Sequence, residues 1–471
     1  MFRTLSKLLA SRRSGRPEPK QRPRSLRLSF DQLEDRLAPA VITVTNLSDG
    51  VMAPARGLDL RQAVAQANSV ANAGSTINFA VSGTIVLAQG ELKIAQPTTI
   101  DATGQTVAID GAAKSRIFFI SPAGTVTLIN LTIKNGVASS SASDGSGNGG
   151  GIYDANSSSI LILNGDQIRI NSTSATGNGG GVYSNGIVTL NNTIVDGNKA
   201  LGGNGGGIWA ARNVTLNSST VSNNTALAGG GIYESGTGTT VTLNQSIVQI
   251  NKATNGNGGG VWALFNIVGN GGSVNNNQAL GGGNGGGLYS DGGNVTLAGT
   301  AVSGNTATGQ GGGIWADYNI VLSAGTAITS NVGDTGGGGI WADDGFVKLF
   351  ASLVSGNTAG FGLSTVGDGG GIWSGTDVTI DATSTVTGNV ANGNGGGIFS
   401  RRSVVINGGT VSNNQAVTSL FDGSGNPTNG NGGGIWAQLD VTLLNGGTVT
   451  GNTATGPTPG PPTTIPNDPN T

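Results

Sequence analysis

Asp291, Asp317 and Asp343 stand 26 residues apart, each two places after an aromatic residue: Tyr289, Trp315 and Trp341. Carboxylates at a fixed period come together only if the chain repeats with that period. Stacked ~4.8 Å apart on successive strands, each pair repels by about 1 kcal/mol in water and by more at lower dielectric. Side chains splaying into solvent relieve that repulsion, and so does a shared Ca2+ held through oxygen ligands. Asp344 adds a fourth carboxylate, and Arg401 and Arg402 follow two repeats beyond Asp343.

A second set is aromatic. All six tryptophans, among them Trp209, Trp262, Trp315, Trp341 and Trp373, occupy one slot of a repeated Gly-Gly-Gly-aliphatic-aromatic motif. A row of rings at strand spacing has two readings. Stacked rings can protect a flat sheet, or a ladder of exposed rings can offer sugar rings or a protein partner a surface on which to stack.

What is missing narrows the chemistry further. The chain has no histidine and no cysteine, which removes His-dependent triads, His general bases, thiolate metal sites and disulfides. An enzyme built on this sequence works with carboxylates, Lys, Arg, Tyr or a hard cation. Of the net charge of −2, residues 1–36 carry ten Lys/Arg against four Asp/Glu, so the remainder is at −8. An acidic body argues against nucleic acid as a partner. The glycine-rich stretches are not phosphate loops, because no Gly-Lys-Ser/Thr follows them.

The elements that must position these residues are short. The motif occurs eleven times, with its aliphatic and aromatic residues at Ile152-Tyr153, Val182-Tyr183, Ile208-Trp209, Ile232-Tyr233, Val261-Trp262, Leu288-Tyr289, Ile314-Trp315, Ile340-Trp341, Ile372-Trp373, Ile398-Phe399 and Ile435-Trp436. The spacing runs from 24 to 37 residues and is most often 26. A second register ends on Asn198, Asn224, Asn251, Asn277, Asn305, Asn331, Asn357, Asn389, Asn414 and Asn452. Within one unit, GGGIWA, NVTLN and STVSNN read as three alternating strands separated by Gly or Asn. Such a unit is too short for a propeller blade, lacks a leucine-rich pattern, and fits one rung of a parallel β-helix. A rung buries too few aliphatics to offset the ordering of ~26 residues, so rungs have to stack on one another. On this reading the aliphatic residue points inward and the aromatic outward. The glycines supply positive φ at a corner, and the Asn slot suits a left-handed turn with side-chain amides bonded from rung to rung.

The flanks differ from the array. Residues 1–40 form a basic leader, and 41–124 read as a cap with the first rungs. In that cap LDLRQAVAQANS forms a helix that places Leu58, Leu60, Ala63, Val64 and Ala67 on one face. Residues 125–455 are the array, and 456–471 are a Pro-rich tail. The longest insertion is polar, Ser419–Asn429. No stretch reaches the ~18 apolar residues needed to span a bilayer.

Three resemblances add to this. SFDQLEDRLAPA (Ser29–Ala40) resembles the N-terminal signature of large exported surface proteins of planctomycete bacteria, without the usual double Leu after the Arg, and implies export. The block around LDLRQAVAQANS resembles the N-terminal cap of bacterial right-handed β-helix proteins, with Asp59 in place of a Ser. GGGIW…VSGNTA resembles the repeats of chlamydial polymorphic outer membrane proteins, with Gly for Ala and Val or Ile for Phe. That family implies a surface adhesin, although its translocating barrel has no counterpart here.

The expected fold is therefore all-β: a right-handed parallel β-helix, a pectate-lyase-like solenoid of about 12–14 rungs, with a short N-terminal capping helix. The expected function is an exported, non-enzymatic module at the cell surface or outside the cell, structural and adhesive, binding glycan or a protein along its rungs. Trp209, Trp262, Trp315, Trp341 and Trp373 are the candidate ligand-binding residues. No cofactor is expected beyond calcium at Asp291, Asp317 and Asp343. A monomer is expected, with polysaccharide or a surface protein as partner. The alternative is a polysaccharide lyase or hydrolase on the same scaffold, since pectate lyases pair carboxylate-bound calcium with an Arg or Lys base.

Overall fold

The rung starts from alternation. In Ile208–Ala210 the first and third side chains are buried and Trp209 points the other way, and in Val214–Asn217 the buried pair is Val214 and Leu216. Thr220–Ser222 turns Val221 inward. A computed structural model describes residues 39–50, 57–139, 147–174, 176–360, 366–417 and 430–455 of the chain. Most of the leader with its export signature, the Ser419–Asn429 insertion and the tail from residue 456 lie outside the described residues.

Each strand pairs in parallel with its equivalent one rung on: Ile208 with Ile232, Val214 with Val241, Val221 with Val248. Three long sheets of 13, 15 and 14 strands result, carrying the aromatic, Val-Thr-Leu and Thr-Val-Ser segments in turn. The protein is a parallel β-solenoid of about thirteen rungs, and its interior is a continuous column of Ile, Val and Leu.

A rung holds four strands rather than the three expected. After the Asn slot, pairs such as Thr225-Ala226 and Lys252-Ala253 form a further parallel sheet of nine strands, with the alanine turned inward. Two residues are too few to display a period of two, which is why the alternation gave no sign of them.

Each of the three glycines has its own reason, seen in Gly205–Gly207. Gly205 takes φ of 68°, in the left-handed region. A Cβ on Gly206 would lie 2.4 Å from the Gly230 carbonyl oxygen, and one on Gly207 would lie 2.7 Å from that of Gly231. The first glycine turns the corner, and the next two let adjacent rungs approach.

The solenoid begins under a helix. Helix α1 (Leu60–Ala67) buries Leu60, Ala63, Val64 and Ala67 over the first strands. Asp59 caps it in a capping box with Gln62, the same service a Ser gives at that position. Arg61 ties the cap down, with Nε 2.7 Å from Asp49 Oδ1 and further bonds to the carbonyls of Gly90 and Glu91. Against burial, which raises it, the Arg61 guanidinium and the amides of Gln89 and Ala88 hold the Asp49 carboxyl below the usual carboxylate range.

Candidate functional site

The Asn slot is an internal ladder. Asn198, Asn224, Asn251, Asn277, Asn305, Asn331, Asn357, Asn389 and Asn414 are fully buried. Each accepts at Oδ1 from the main-chain nitrogen and Nδ2 of the Asn one rung earlier, as Asn224 does from Asn198 at 2.9 and 3.0 Å. Its own Nδ2 also reaches a carbonyl, Val195 in the case of Asn224. The ladder opens one rung earlier than the sequence reading placed it, at Asn171. The left-handed residue lies one place before the ladder: Asn223, with φ of 55°, and not Asn224. The turn demands a left-handed residue there, while the ladder demands an inward amide on the next.

A second ladder escaped the sequence reading. Thr193, Ser219 and Ser246 are buried at the start of the Thr-Val-Ser strands, and each hydroxyl accepts the main-chain N–H of the previous rung. Asp166 occupies the same slot, accepting from the amides of Leu131 at 2.8 Å and Asn164 at 3.0 Å, and burial pushes its carboxyl up to about 7. Burial also raises Asp154, which accepts hydroxyls from Ser159 and Ser184, and Glu234. The spacing of about one rung from Asp166 to Thr193 and from Asp154 to Ser184 was the available signal.

The aromatic residues do point away from the interior, yet they are not a free surface. Trp262, Tyr289, Trp315, Trp341, Trp373 and Phe399 form a second buried apolar cluster, with Tyr233, Leu264 and Trp436 packed against it. Ring faces meet ring faces. Trp341 and Trp373 lie 3.6 Å apart at 2°, Tyr233 and Trp262 4.1 Å apart at 5°, and Phe399 and Trp436 4.4 Å apart at 3°. Trp209 stacks on Tyr183 at 4.1 Å and is half-buried. The stack runs in three sections, Tyr183 with Trp209, Tyr233 through Trp262 and Tyr289 to Trp315, and Trp341 through Trp373 and Phe399 to Trp436, so each tryptophan has at least one face against a neighbouring ring. Polar partners close ring edges: Gln310 for Trp315 Nε1, Asp343 for Trp341 Nε1 at 3.1 Å, and Asp291 for the Tyr289 hydroxyl at 2.7 Å.

Those aspartates do stack in register, following Ser290, Ala316 and Ala342 on paired strands. They do not converge on a common point. Asp291 and Asp343 turn sideways to ring partners of their own rungs, and among the described residues no three His, Cys, Asp or Glu side chains gather as a metal ion requires. The carboxyl of Asp317 is raised first by burial, then by the charges of Asp344, Asp343 and Asp291. The register places Arg401 two rungs beyond Asp343, as expected. Its guanidinium lies over the Trp373 ring at 4.9 Å, and Arg402 stands 3.8 Å from Asp377. Both arginines are engaged in contacts of the scaffold. A hollow of about 370 Å³ beside Val86, Val137 and Ile170 contains one carboxylate, Asp110, which Lys134 and Asn135 already hold.

Fold and site together define a parallel β-helix repeat protein stitched by amide, hydroxyl and aromatic ladders. The residues 299–317, which include VSGNTA and GGGIW, match the Chlamydia polymorphic membrane protein repeat. Among solved structures the chain is similar to the A-module of the mannuronan C-5 epimerase AlgE6 from Azotobacter vinelandii, at 15% identity and a TM-score of 0.34, over 88% of this chain and 90% of that one. No curated protein sequence matches the chain significantly. Among the described residues no helix is long and apolar enough to cross a membrane.

Proposed function

We propose that the chain is an exported β-helix module, displayed at a cell surface or outside the cell, with a structural and adhesive role and no enzymatic one. The observation that carries this reading is where the chemistry-bearing side chains go. Asn, Ser, Thr, Trp and Arg are spent on joining rung to rung, and Asp291 and Asp343 hold ring edges in place. The match of residues 299–317 to a repeat of Chlamydia polymorphic membrane proteins supports surface display.

A glycan or protein ligand would meet the edges of Trp209, Trp262, Trp315, Trp341 and Trp373 together with the polar rows beside them: Asn257 and Gln310 on one side, Asp291, Asp317 and Asp343 on the other. Binding of the purified chain to acidic and neutral polysaccharides, with and without Ca2+, tests this while reducing ends and unsaturated products are followed. Binding without product, weakened by Asp317→Asn and Gln310→Ala, is the expected result. Product formation overturns it in favour of a lyase or hydrolase. No binding to any glycan leaves a spacer or a protein-binding rod.

A further inference from the structure

Two rows of side chains break at the same rungs. One is the ring stack, whose sections stop at Trp209 and Trp315 and restart at Tyr233 and Trp341, although these residues lie on paired strands. The other is an outer amide row in the slot just before each Gly-Gly-Gly, where a side-chain oxygen accepts the main-chain N–H of the next rung. Asn148, Asn178 and Asn204 are joined in this way, as are Asn257, Asn284 and Gln310, and Asp368, Asn394 and Asn431. The interruptions fall at Ala228 and Gly336, in the rungs of Tyr233 and Trp341. A Cβ on Gly336 would lie 2.7 Å from the Trp341 ring, so the ring that restarts the stack leans over the vacated slot.

The break at Ala228 is the more open one. Trp209 and Tyr233 are half-buried, whereas Trp315 and Trp341 are 7% and 8% exposed. Trp209 rests one face on Tyr183 and Tyr233 rests one on Trp262, so the faces they turn toward each other carry no ring. Among the described residues no hydrogen bond reaches the Asn204 side chain, one rung before the vacancy. On the opposite flank, three residues after Trp209, Arg212 is exposed and has no ion-pair partner among the described residues. Glu234, next to Tyr233, is buried on the inner side of the strand, and Asp291 lies three rungs away, roughly 14 Å.

We propose that this break is a subsite for an anionic sugar. A pyranose stacks its C–H face on the ring faces left open, a hydroxyl donates to Asn204 Oδ1, and a carboxylate or sulfate on the sugar pairs with Arg212. The inference rests on the glycan reading above and narrows it, from the whole strip to one rung and from any polysaccharide to an anionic one. An aromatic ring accepts an apolar face, and a forked guanidinium matches a carboxylate or sulfate. An apolar side chain of a protein would cover the same rings but bring no donor to Asn204. Farther along the strip Asp291, Asp317 and Asp343 repel an anion, which leaves the Ala228 rung as its place.

Calorimetric titration of the full chain, with a chelator present, tests this with three matched probes: a cello-oligosaccharide, the same chain oxidised to the uronate, and the same chain sulfated. An anionic probe is expected to bind about tenfold more tightly than the neutral one, and the tighter of the two names the group. Ala228→Asn supplies the side chain the amide row lacks. It is expected to keep the melting temperature and to weaken the anionic probe about tenfold. Arg212→Gln removes the preference for the anion, while Lys348→Gln, which takes the same charge from a site five rungs away, leaves it. Tight binding that survives Ala228→Asn or Arg212→Gln overturns the subsite and leaves the glycan reading standing, with the ligand elsewhere on the strip. Equal binding of neutral and anionic probes overturns it as well. Silence of all three probes also overturns the subsite, and the broader reading falls only if the full polysaccharide panel is silent too.

Discussion

Asn277 is bonded to Asn305 twice across one rung: its main-chain nitrogen lies 2.9 Å, and its Nδ2 3.0 Å, from the same Asn305 Oδ1. The other Nδ2 hydrogen goes to the Val248 carbonyl at 2.9 Å, and Asn277 Oδ1 accepts twice from Asn251. The amide is fully used. Asn277→Ala leaves several buried partners unmatched at about 1–3 kcal/mol each, so a loss of about 4 kcal/mol is expected in urea unfolding. A loss below about 1 kcal/mol would mean that water substitutes for the amide.

The aromatic ladder is expected to behave as core. Trp341→Ala removes a buried ring stacked at 3.6 Å on Trp373 and uncovers that ring's face, for a loss of about 3–5 kcal/mol. Trp341→Phe keeps a stacking ring and loses about 1–2 kcal/mol. Chemical denaturation distinguishes the two variants. Equal, negligible losses would return the ladder to the status of a free surface.

Gly206 and Gly238 separate steric closeness from backbone freedom. A Cβ on Gly206 meets backbone atoms of Gly230 and Thr225 at 2.4–2.6 Å, and these cannot give way. Gly206→Ala is expected to part the two rungs, at about 3 kcal/mol or more. Gly238, at φ of 71° with nothing within 4 Å, loses about 1 kcal/mol on becoming Ala. Thermal melts of the two variants would show the difference.

Asp166 sets a pH dependence. Its folded value of about 7 lies above the ordinary 3.8 of an aspartate carboxyl, so between those limits the folded chain binds the proton and the unfolded chain does not. Its contribution is most favourable below about pH 4 and is lost as pH rises through 7, by an amount on the order of 3–4 kcal/mol. Asp166→Ser, with the hydroxyl found at Ser219 and Ser246, is expected to flatten the stability profile between pH 4 and 7. Denaturant midpoints of the two proteins across that window are the measurement, and parallel profiles would refute it.

Asp317 sits half-buried among like charges. Asp317→Asn therefore stabilises by a few tenths of a kcal/mol at low salt, and the gain fades at high salt. Melting temperatures at two ionic strengths suffice. A destabilised variant would indicate that the carboxylate makes a favourable contact instead.

The repeat was legible because one rung cannot stand alone. The chain has to carry the same residues at Ile208, Val214, Val221 and Asn224 again and again, and a period near 26 shows in the sequence. The capping helix was legible from the face shared by Leu60, Ala63, Val64 and Ala67. The Thr225-Ala226 strand was not, since two residues carry no period. Nor were the Ser/Thr ladder and Asp166, whose slot accepts any side chain able to receive an N–H and so varies in letter.

By itself, then, the sequence determined the stacking register: which residues lie above which, including Asp291, Asp317 and Asp343, and the row of rings. Alternation is a property of the local backbone, and it says only which side of a strand a residue leaves from. Whether that side is open was decided by tertiary structure. Flat rings in register at strand spacing tilt until their faces touch, and the glycine corner brings polar partners to their edges. An outward row thereby becomes a second apolar cluster beside the interior column.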